Sequence, residues 1–359
     1  MKQKILIDLD KLKIPYCGLG NVSINFGNAL FTIEQDQFNW EVLVSDTQSV
    51  SHLDTRNYSI QKLSILKKKN IIPFDSDVDL VHITNQMTKY YVSKGKKNIL
   101  TIHDLNYVFE EKEEVWKKKL QKLQKHVNNA TLITTISQFT KDIVKQYLKV
   151  PEGLNIKVVS NGVESPYNQP TSKPASITST NKFFFTIGTV MPKKNFHILV
   201  EMMKYTDEEY HLYIAGSPSK EDYVQQISDL IEEHQLTDRV KMIGEVTTEE
   251  KNYLYNECNA FLFPSLYEGF GLPIIEAMYC GKPVVCSNLT SLPEVGGESA
   301  AYWEDFDPKK MAEVVKNKVA QHYLNQNENE ETLKEYASQF NWEKNAMTYF
   351  KLYKDLLID

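Results

Sequence analysis

The chain has 359 residues, a length that suits two domains better than a single core. Hydrophobic residues make up 42% and aromatics 11%, which excludes an extensively disordered chain. Residues 1–165 carry 23 Lys and Arg against 18 Asp and Glu, a net of +5, while the remainder carries 18 against 29, a net of −11. A basic first half fits an anionic partner or an anionic membrane surface, or equally a chance division of solvated lysines. No apolar run approaches the roughly 20 residues of a membrane span. The longest, Phe183–Ile187 and Ala260–Phe263, are strand-sized, and the opening MKQKILIDLD lacks the apolar region of a signal peptide. Cys17, Cys258, Cys280 and Cys286 form no CxxC pair and no His-flanked metal spacing. They read as reduced thiols in a cytoplasmic protein.

In chain order, Ile5–Leu9, Trp40–Val44, Val78–Ile83, Ile99–Ile102, Leu132–Thr135 and Lys157–Val159 are short apolar runs expected to be buried strands. Amphipathic stretches such as Val22–Ile33 and Lys117–Val127 lie between them. This is the βαβ rhythm of a parallel sheet covered by helices. Residues 165–181, SPYNQPTSKPASITSTN, lack periodicity and read as a linker. The rhythm then restarts. Strands are expected at Phe183–Ile187, His211–Ala215, Val240–Ile243, Ala260–Phe263 and Pro283–Cys286. Helices are expected near 195–204, 220–235, 247–257, 273–280 and Glu343–Leu357, and the polar run NQNENEET (325–332) reads as a loop or a frayed helix start. In open α/β folds, ligands bind at the carboxyl ends of the strands.

The most informative stretch is 261–297, FLFPSLYEGFGLPIIEAMYCGKPVVCSNLTSLPEVGG. A strand ends near Phe263, and a loop with Gly269 and Gly271 follows. Pro273 suits the first turn of a helix, and Gly281 suits its end. Free backbone N–H groups at such a helix start favour a phosphate or diphosphate. Glu276, read as lying in the first helical turn, has two possible roles: it could accept two hydrogen bonds from a ribose diol or simply complement the helix dipole. Glu268, in the loop, could meet a sugar hydroxyl or an oxocarbenium-like charge.

The pattern E-G-F-G-L-P-x-x-E-A-M resembles the donor-site signature of the retaining glycosyltransferases of family 4. TIHDL (101–105), TTISQFTKDIV (134–144), VVSNGV (158–163), FTIGTVMPKKN (185–195), LYIAGS (212–217), IGEV (243–246), SLPEVGG (291–297) and FNWEKNA (340–346) follow in that family's order and spacing. The resemblance implies the α/β GT-B architecture: two facing Rossmann-like domains with parallel sheets and a central cleft. It implies an acceptor-side domain over 1–165, a linker over 166–181, a nucleotide-sugar domain over 182–338, and a C-terminal helix (339–359) returning to the first domain. Glu276 would hold the donor ribose and Glu268 the transferred sugar. The backbone of Gly269, Phe270, Gly271 and Leu272 would approach sugar and diphosphate. Lys194 matches the family's diphosphate lysine, although a solvated loop lysine is the ordinary alternative. Lys193 stands where many members have Arg, and lysine offers a point charge without bidentate geometry.

His103, in the HD dipeptide after a strand, matches a histidine near the donor sugar in similar enzymes. Asp104 would orient it or touch acceptor. Gly18 and Gly20, in YCGLGN, are expected between the first strand and first helix, matching the family's glycine loop beside the diphosphate. Ser137 matches a serine near the cleft, or caps the following helix. The DSDVD run (75–79) starts like a calcium loop but has Leu80 and Gln86 where Gly and Glu are required, so it reads as a turn.

The function implied is transfer of a hexose, with retention, from a nucleotide-diphosphate sugar to a glycan or lipid-linked glycan, without metal or other cofactor. The PKKN variant looks most like enzymes of bacterial surface polysaccharide synthesis, many of them mannosyltransferases, which favours GDP-mannose. The expected location is the cytoplasm. Peripheral contact with the inner face of the cell membrane would run through Lys117–Lys119, Lys122 and Lys125 beside Trp116, Leu120 and Leu123, unless these form an ordinary solvated helix face. Competing readings are a catalytically silent nucleotide-sugar or glycan-binding protein and a GT-B sugar-nucleotide epimerase. The absent GxGxxG disfavours a nicotinamide dehydrogenase, and no motif supports nucleic-acid binding.

Overall fold

The computed structural model describes every residue except Met1, Tyr16, 70–74, 178–180 and Asp359. Tyr16 of the YCGLGN motif and 178–180 of the expected linker therefore lie outside the described residues. The chain divides into two compact units, Met1–Gly162 with Phe340–Asp359, and Val163–Gln339.

The first unit holds strands β1 (Gln3–Asp8), β2 (Phe38–Val44), β3 (Ser59–Lys62), β4 (Leu80–Ile83), β5 (Lys97–Ile102), β6 (Leu132–Thr135) and β7 (Ile156–Val158). They form one parallel sheet in the order β3-β2-β1-β4-β5-β6-β7. Helices α1 (Gly18–Phe31), α2 (Ile65–Lys68), α3 (Tyr107–Glu110), α4 (Glu113–Val127) and α5 (Gln138–Tyr147) lie in the connections. The two-residue period of a strand sorts the core into two layers. Ile5, Ile7, Val42 and Leu80 pack on the face that receives Phe26 and Leu30 of α1. Leu6, Leu43, Val81 and Leu100 pack on the face that receives Leu120 and Leu123 of α4 and Val144 of α5. Each fully buried aliphatic side chain contributes about 1.5–3 kcal/mol.

The second unit holds β8 (Lys182–Ile187), β9 (Tyr210–Ala215), β10 (Val240–Gly244), β11 (Ala260–Phe263), β12 (Val284–Ser287) and β13 (Ala301–Trp303), parallel and ordered β10-β9-β8-β11-β12-β13. Its helices are α6 (Phe196–Met203), α7 (Glu221–Glu233), α8 (Thr248–Glu257), α9 (Leu272–Tyr279), α10 (Leu292–Gly296), α11 (Pro308–Leu324) and α12 (Gln326–Ser338). The segment after Val163 is tied to this unit. Asn252 and Asn256 of α8 donate to the carbonyls of Pro170 (3.0 Å) and Pro166 (3.2 Å).

The last helix, α13 (Trp342–Ile358), belongs to the first unit and packs against α1. It is fastened by buried polar groups. His82 of β4 bonds the Tyr353 hydroxyl (2.6 Å) through Nδ1 and the Thr101 hydroxyl (2.8 Å) through Nε2. The Tyr349 hydroxyl meets Thr101 (3.1 Å) and Thr134 (3.0 Å).

Three sequence expectations need correction. Of the two readings of the 325–332 run, the loop gives way to the helix start: α12 begins at Gln326, buries only Leu333 and Ala337, too narrow a stripe to show as periodicity, and packs on α9. The first helix begins at Gly18, because Cys17 Sγ accepts the Gly20 N–H (3.3 Å) and caps it there. Gly18 and Gly20 are therefore helical residues, not loop residues. Strands β3 and β13 and helices α2, α3, α10 and α11 were not anticipated. β3 is an exposed edge strand with no apolar alternation, and β13 has three residues.

Burial holds His82 down to about 3 and His126 and His322 each to about 4, so all three are neutral in the fold. In the unfolded chain each takes up a proton below its ordinary value of about 6.5. Their contribution is therefore full above that pH and is lost as pH falls toward 4, at about 2 kcal/mol per histidine by pH 5. Asp8, raised to about 6 by burial, works in the opposite direction but is a single group. Thermal unfolding at pH 5.0 is expected to have a lower midpoint than at pH 7.5; an unchanged or higher midpoint would contradict this balance.

Candidate functional site

In both sheets the strand order reverses once, between β1 and β4 and between β8 and β11. Loops leaving the two strands at such a point diverge, and ligands bind in the crevice between them. In the second unit these are the PKKN segment after β8 and the EGFG segment after β11. They are joined by the Leu266 N–H, which donates to the Lys193 carbonyl (2.8 Å). Lys194 Nζ reaches Glu268 Oε1 at 2.6 Å, with the two side chains only 13% and 16% exposed, and the ammonium lies 4.9 Å from the centre of the Phe263 ring. Asn195 makes the PKKN turn possible by taking a left-handed conformation (φ 57°), which asparagine tolerates better than most residues.

The EGFG loop is held from a third segment. Thr290 Oγ1 accepts the Glu268 N–H (3.1 Å), and the buried Ser291 hydroxyl is placed against the carbonyls of Glu268 (3.0 Å) and Phe270 (2.9 Å). Gly271 is the N-cap of α9 at φ 119°, and a Cβ there would lie 2.6 Å from Leu292 Cδ2. Only glycine fits both demands. Leu272 and Pro273 open α9, and Phe270 is buried at the base of the loop.

Glu276 is the fifth residue of α9, not a first-turn residue, because the helix begins at Leu272. The dipole reading of this carboxylate therefore falls away. Its oxygens are instead engaged by α8: Lys251 Nζ donates to Oε1 (2.9 Å) and the Tyr255 hydroxyl to Oε2 (2.7 Å). Lys251 and Tyr255 are four apart, on one helix face. The carboxylate raises the Lys251 ammonium above its ordinary value, and burial with the same carboxylate pushes the Tyr255 phenol well up. A carboxylate has about four acceptor positions, so two remain for a ligand diol. Lys251, Tyr255, Thr290 and Ser291 escaped the sequence analysis as site residues, because each acts across more than 20 residues of chain.

In the first unit, His103 is buried and follows β5. Its Nε2–H donates to the Thr84 carbonyl (2.8 Å), and burial lowers its pKa, so it is a neutral imidazole with Nδ1 as the acceptor nitrogen. The Ser137 hydroxyl caps α5 by accepting the Thr140 N–H (3.1 Å), and the Thr140 hydroxyl donates to the His103 carbonyl (3.1 Å). Ser137 is fully buried and closed to an acceptor; it bonds Thr140, and it is Thr140 that holds the His103 backbone. Asp104 accepts the Asn106 N–H (3.0 Å) and shapes the turn into α3. Gly20 is required for close packing, since a Cβ would lie 1.9 Å from the Ile14 carbonyl oxygen, whereas the space around Gly18 is open.

Two other expectations meet internal uses. Asp75 accepts the backbone N–H and hydroxyl of Ser93 (both 2.6 Å), and Asp79 accepts the Lys4 N–H (2.7 Å), so the DSDVD run is a turn fastened by its acids. On α4, Leu120 and Leu123 are core residues and Trp116 packs edge-on against Tyr147. Lys117 pairs with Glu113, and Lys119 with Glu111 (2.5 Å). The apolar flank expected to meet lipid is thus used by the core.

Two family models match consecutive parts of the chain: Glycosyltransferase Family 4 over residues 42–165 and Glycosyl transferases group 1 over residues 168–340. The chain belongs to the family-4 glycosyltransferases and has the GT-B fold. Among curated relatives, O-antigen chain mannosyltransferase B of Escherichia coli is 32% identical over 225 residues, 58% of this chain and 58% of that one. The O-antigen chain mannosyltransferase RfbU of Salmonella typhimurium is 28% identical over 232 residues, 64% and 63% of the two chains. The matched stretch thus spans about three fifths of these relatives. Among solved structures, sucrose-phosphate synthase from Thermosynechococcus elongatus superposes with a TM-score of 0.75 at 19% identity, covering 99% of this chain and 100% of that one. Anabaena Alr3699/HepE in complex with UDP and glucose gives 0.74 at 18% identity, covering 98% and 100%.

Gly271→Ala is expected to cost about 1–3 kcal/mol through its backbone conformation alone, with the Leu292 clash adding to it. Chemical denaturation checks this; a midpoint equal to that of the parent chain would show that the loop does not need this conformation.

Proposed function

We propose that the chain is a hexosyltransferase that moves mannose from GDP-mannose, with retention, to a glycan or lipid-linked glycan in bacterial surface polysaccharide synthesis. The observation that carries this reading is the Lys194–Glu268 pair at the switch point of the second unit. The relatives described as O-antigen mannosyltransferases support the sugar and the setting. A neighbour solved with UDP-glucose makes UDP-glucose the alternative donor.

In this reading Glu276, held by Lys251 and Tyr255, takes the ribose diol. The diphosphate lies against the start of α9 and the ammonium of Lys194, with Lys193 as a second cation. Glu268 takes a hydroxyl of the transferred sugar. As the bond from the anomeric carbon to the diphosphate oxygen lengthens, negative charge grows on the leaving group, and a fixed ammonium stabilises it more than it stabilises the ground state. The acceptor oxygen bonds to the anomeric carbon on the face the diphosphate leaves, and its proton passes to the departing phosphate oxygen. Neutral His103 acts as a hydrogen-bonding partner of the sugar, and Asp104 lies on the acceptor side. Side chains and helix dipole supply the positive charge, so the reaction is proposed to need no metal or other cofactor. The proposed location is the cytoplasm; among the described residues, no helix is long and apolar enough to cross a membrane.

Thermal shift against GDP, UDP and ADP in EDTA tests the donor site. GDP is expected to stabilise most, by about 2.7 kcal/mol at a hundredfold excess over Kd. Glu276→Ala is expected to abolish the shift. Failure of all three nucleotides would sink the donor assignment. Proton NMR of the product is expected to show the donor's anomeric configuration, and inversion would overturn the proposed route.

A further inference from the structure

The switch point of the first unit also opens into a cavity, of about 260 Å³. Its walls come from the last residue of β1 (Asp8), the segment after it (Asp10, Lys11), the segment after β4 (Asn85, Lys89) and the end of α2 (Lys68). Its charge is internally sorted. Asp10 is taken up by Lys13 (2.5 Å) and by the Ser45 N–H (2.7 Å). Asp8 accepts the Tyr90 hydroxyl (2.6 Å) and the Asp10 N–H (3.0 Å), and burial raises its carboxyl to about 6. Lys11, Lys68 and Lys89 make no salt bridge among the described residues; Asp8 feels the charge of Lys11, and four lysines against two aspartates leave the wall with a net charge of +2.

Asn85 supplies a second, independent observation. It is 4% exposed, and its Oδ1 accepts the Met87 N–H (2.7 Å), which fixes the orientation of the amide. Its Nδ2 is then a buried donor with no hydrogen-bond partner. A buried unmade bond costs about 1–3 kcal/mol, and such groups are rare unless something else satisfies them. Cations beside an unused donor, at the carboxyl edge of a parallel sheet, suit a phosphate oxygen.

We propose that this cavity is a subsite for a phosphate group carried by the sugar acceptor, seated by Lys11, Lys68 and Lys89 and completed by Asn85 Nδ2. The inference rests on the glycosyltransferase reading and names the class of acceptor: a phosphate-bearing carbohydrate or a lipid-diphosphate carbohydrate. Both sources present anionic phosphoryl oxygens to the lysines.

The test is calorimetric titration of the full chain, with GDP present in excess, against mannose 6-phosphate, farnesyl diphosphate and uncharged mannose. Variants are Lys68→Gln with Lys89→Gln, Asn85→Ala, and Lys118→Gln on α4 as a control. One or both phosphates are expected to bind, with affinity reduced about tenfold or more in the double variant and unchanged in the control. Mannose is expected to bind too weakly to detect. Mannose 6-phosphate alone would identify a phosphorylated glycan, and farnesyl diphosphate alone a lipid-linked one; each supports the subsite. Binding of neither, or equal binding by parent and double variant, would overturn it. If the phosphates bind through these lysines while GDP does not bind at all, the subsite stands and the donor reading fails.

Discussion

A parallel sheet whose strand order reverses cannot cover its own reversal point. The connection leaving one central strand turns to one side and the connection leaving its neighbour turns to the other, so the carboxyl ends of both stay open. This chain meets the constraint twice, at β1 and β4 and at β8 and β11. In the second unit the opening is filled by Lys194 and Glu268, one from each diverging loop. In the first it holds Lys11 and Asn85, again one from each. Local sequence decides what chemistry the openings carry; topology decides that they exist.

The second unit holds its charges in place before any ligand arrives. An isolated half-buried carboxylate would be costly and mobile. Glu268 is instead paired with Lys194, and its loop is pinned by Thr290 and Ser291, while Glu276 is clasped by Lys251 and Tyr255. Groups fixed in this way need little reorganisation as charge develops on a leaving group, which is where an electrostatic contribution to rate arises. The first unit applies the same logic to a neutral group, since the Thr84 carbonyl and surrounding burial hold His103 uncharged.

Much of the fold could be read from the chain, because buried parallel strands are short apolar runs: Ala260–Phe263 is both the run and the strand. The EGFG loop was equally legible, since Gly271 and Pro273 are the residues that a left-handed N-cap and a first helical turn require. Features set by tertiary partners were not legible. Nothing local marks Lys251 or Tyr255 as belonging to Glu276, which is 25 and 21 residues away. Nor does composition reveal that α12 is ordered by contact with α9, or that a cysteine would move the start of α1 back to Gly18.

In the proposed reading, the second unit's switch point holds the nucleoside diphosphate. Hydrogen–deuterium exchange of the full chain, with and without GDP, tests it most directly, because it maps the site without assuming which residue matters. Protection confined to 188–195 and 264–276 is the predicted result. Protection absent from both segments while GDP binds elsewhere would contradict the account.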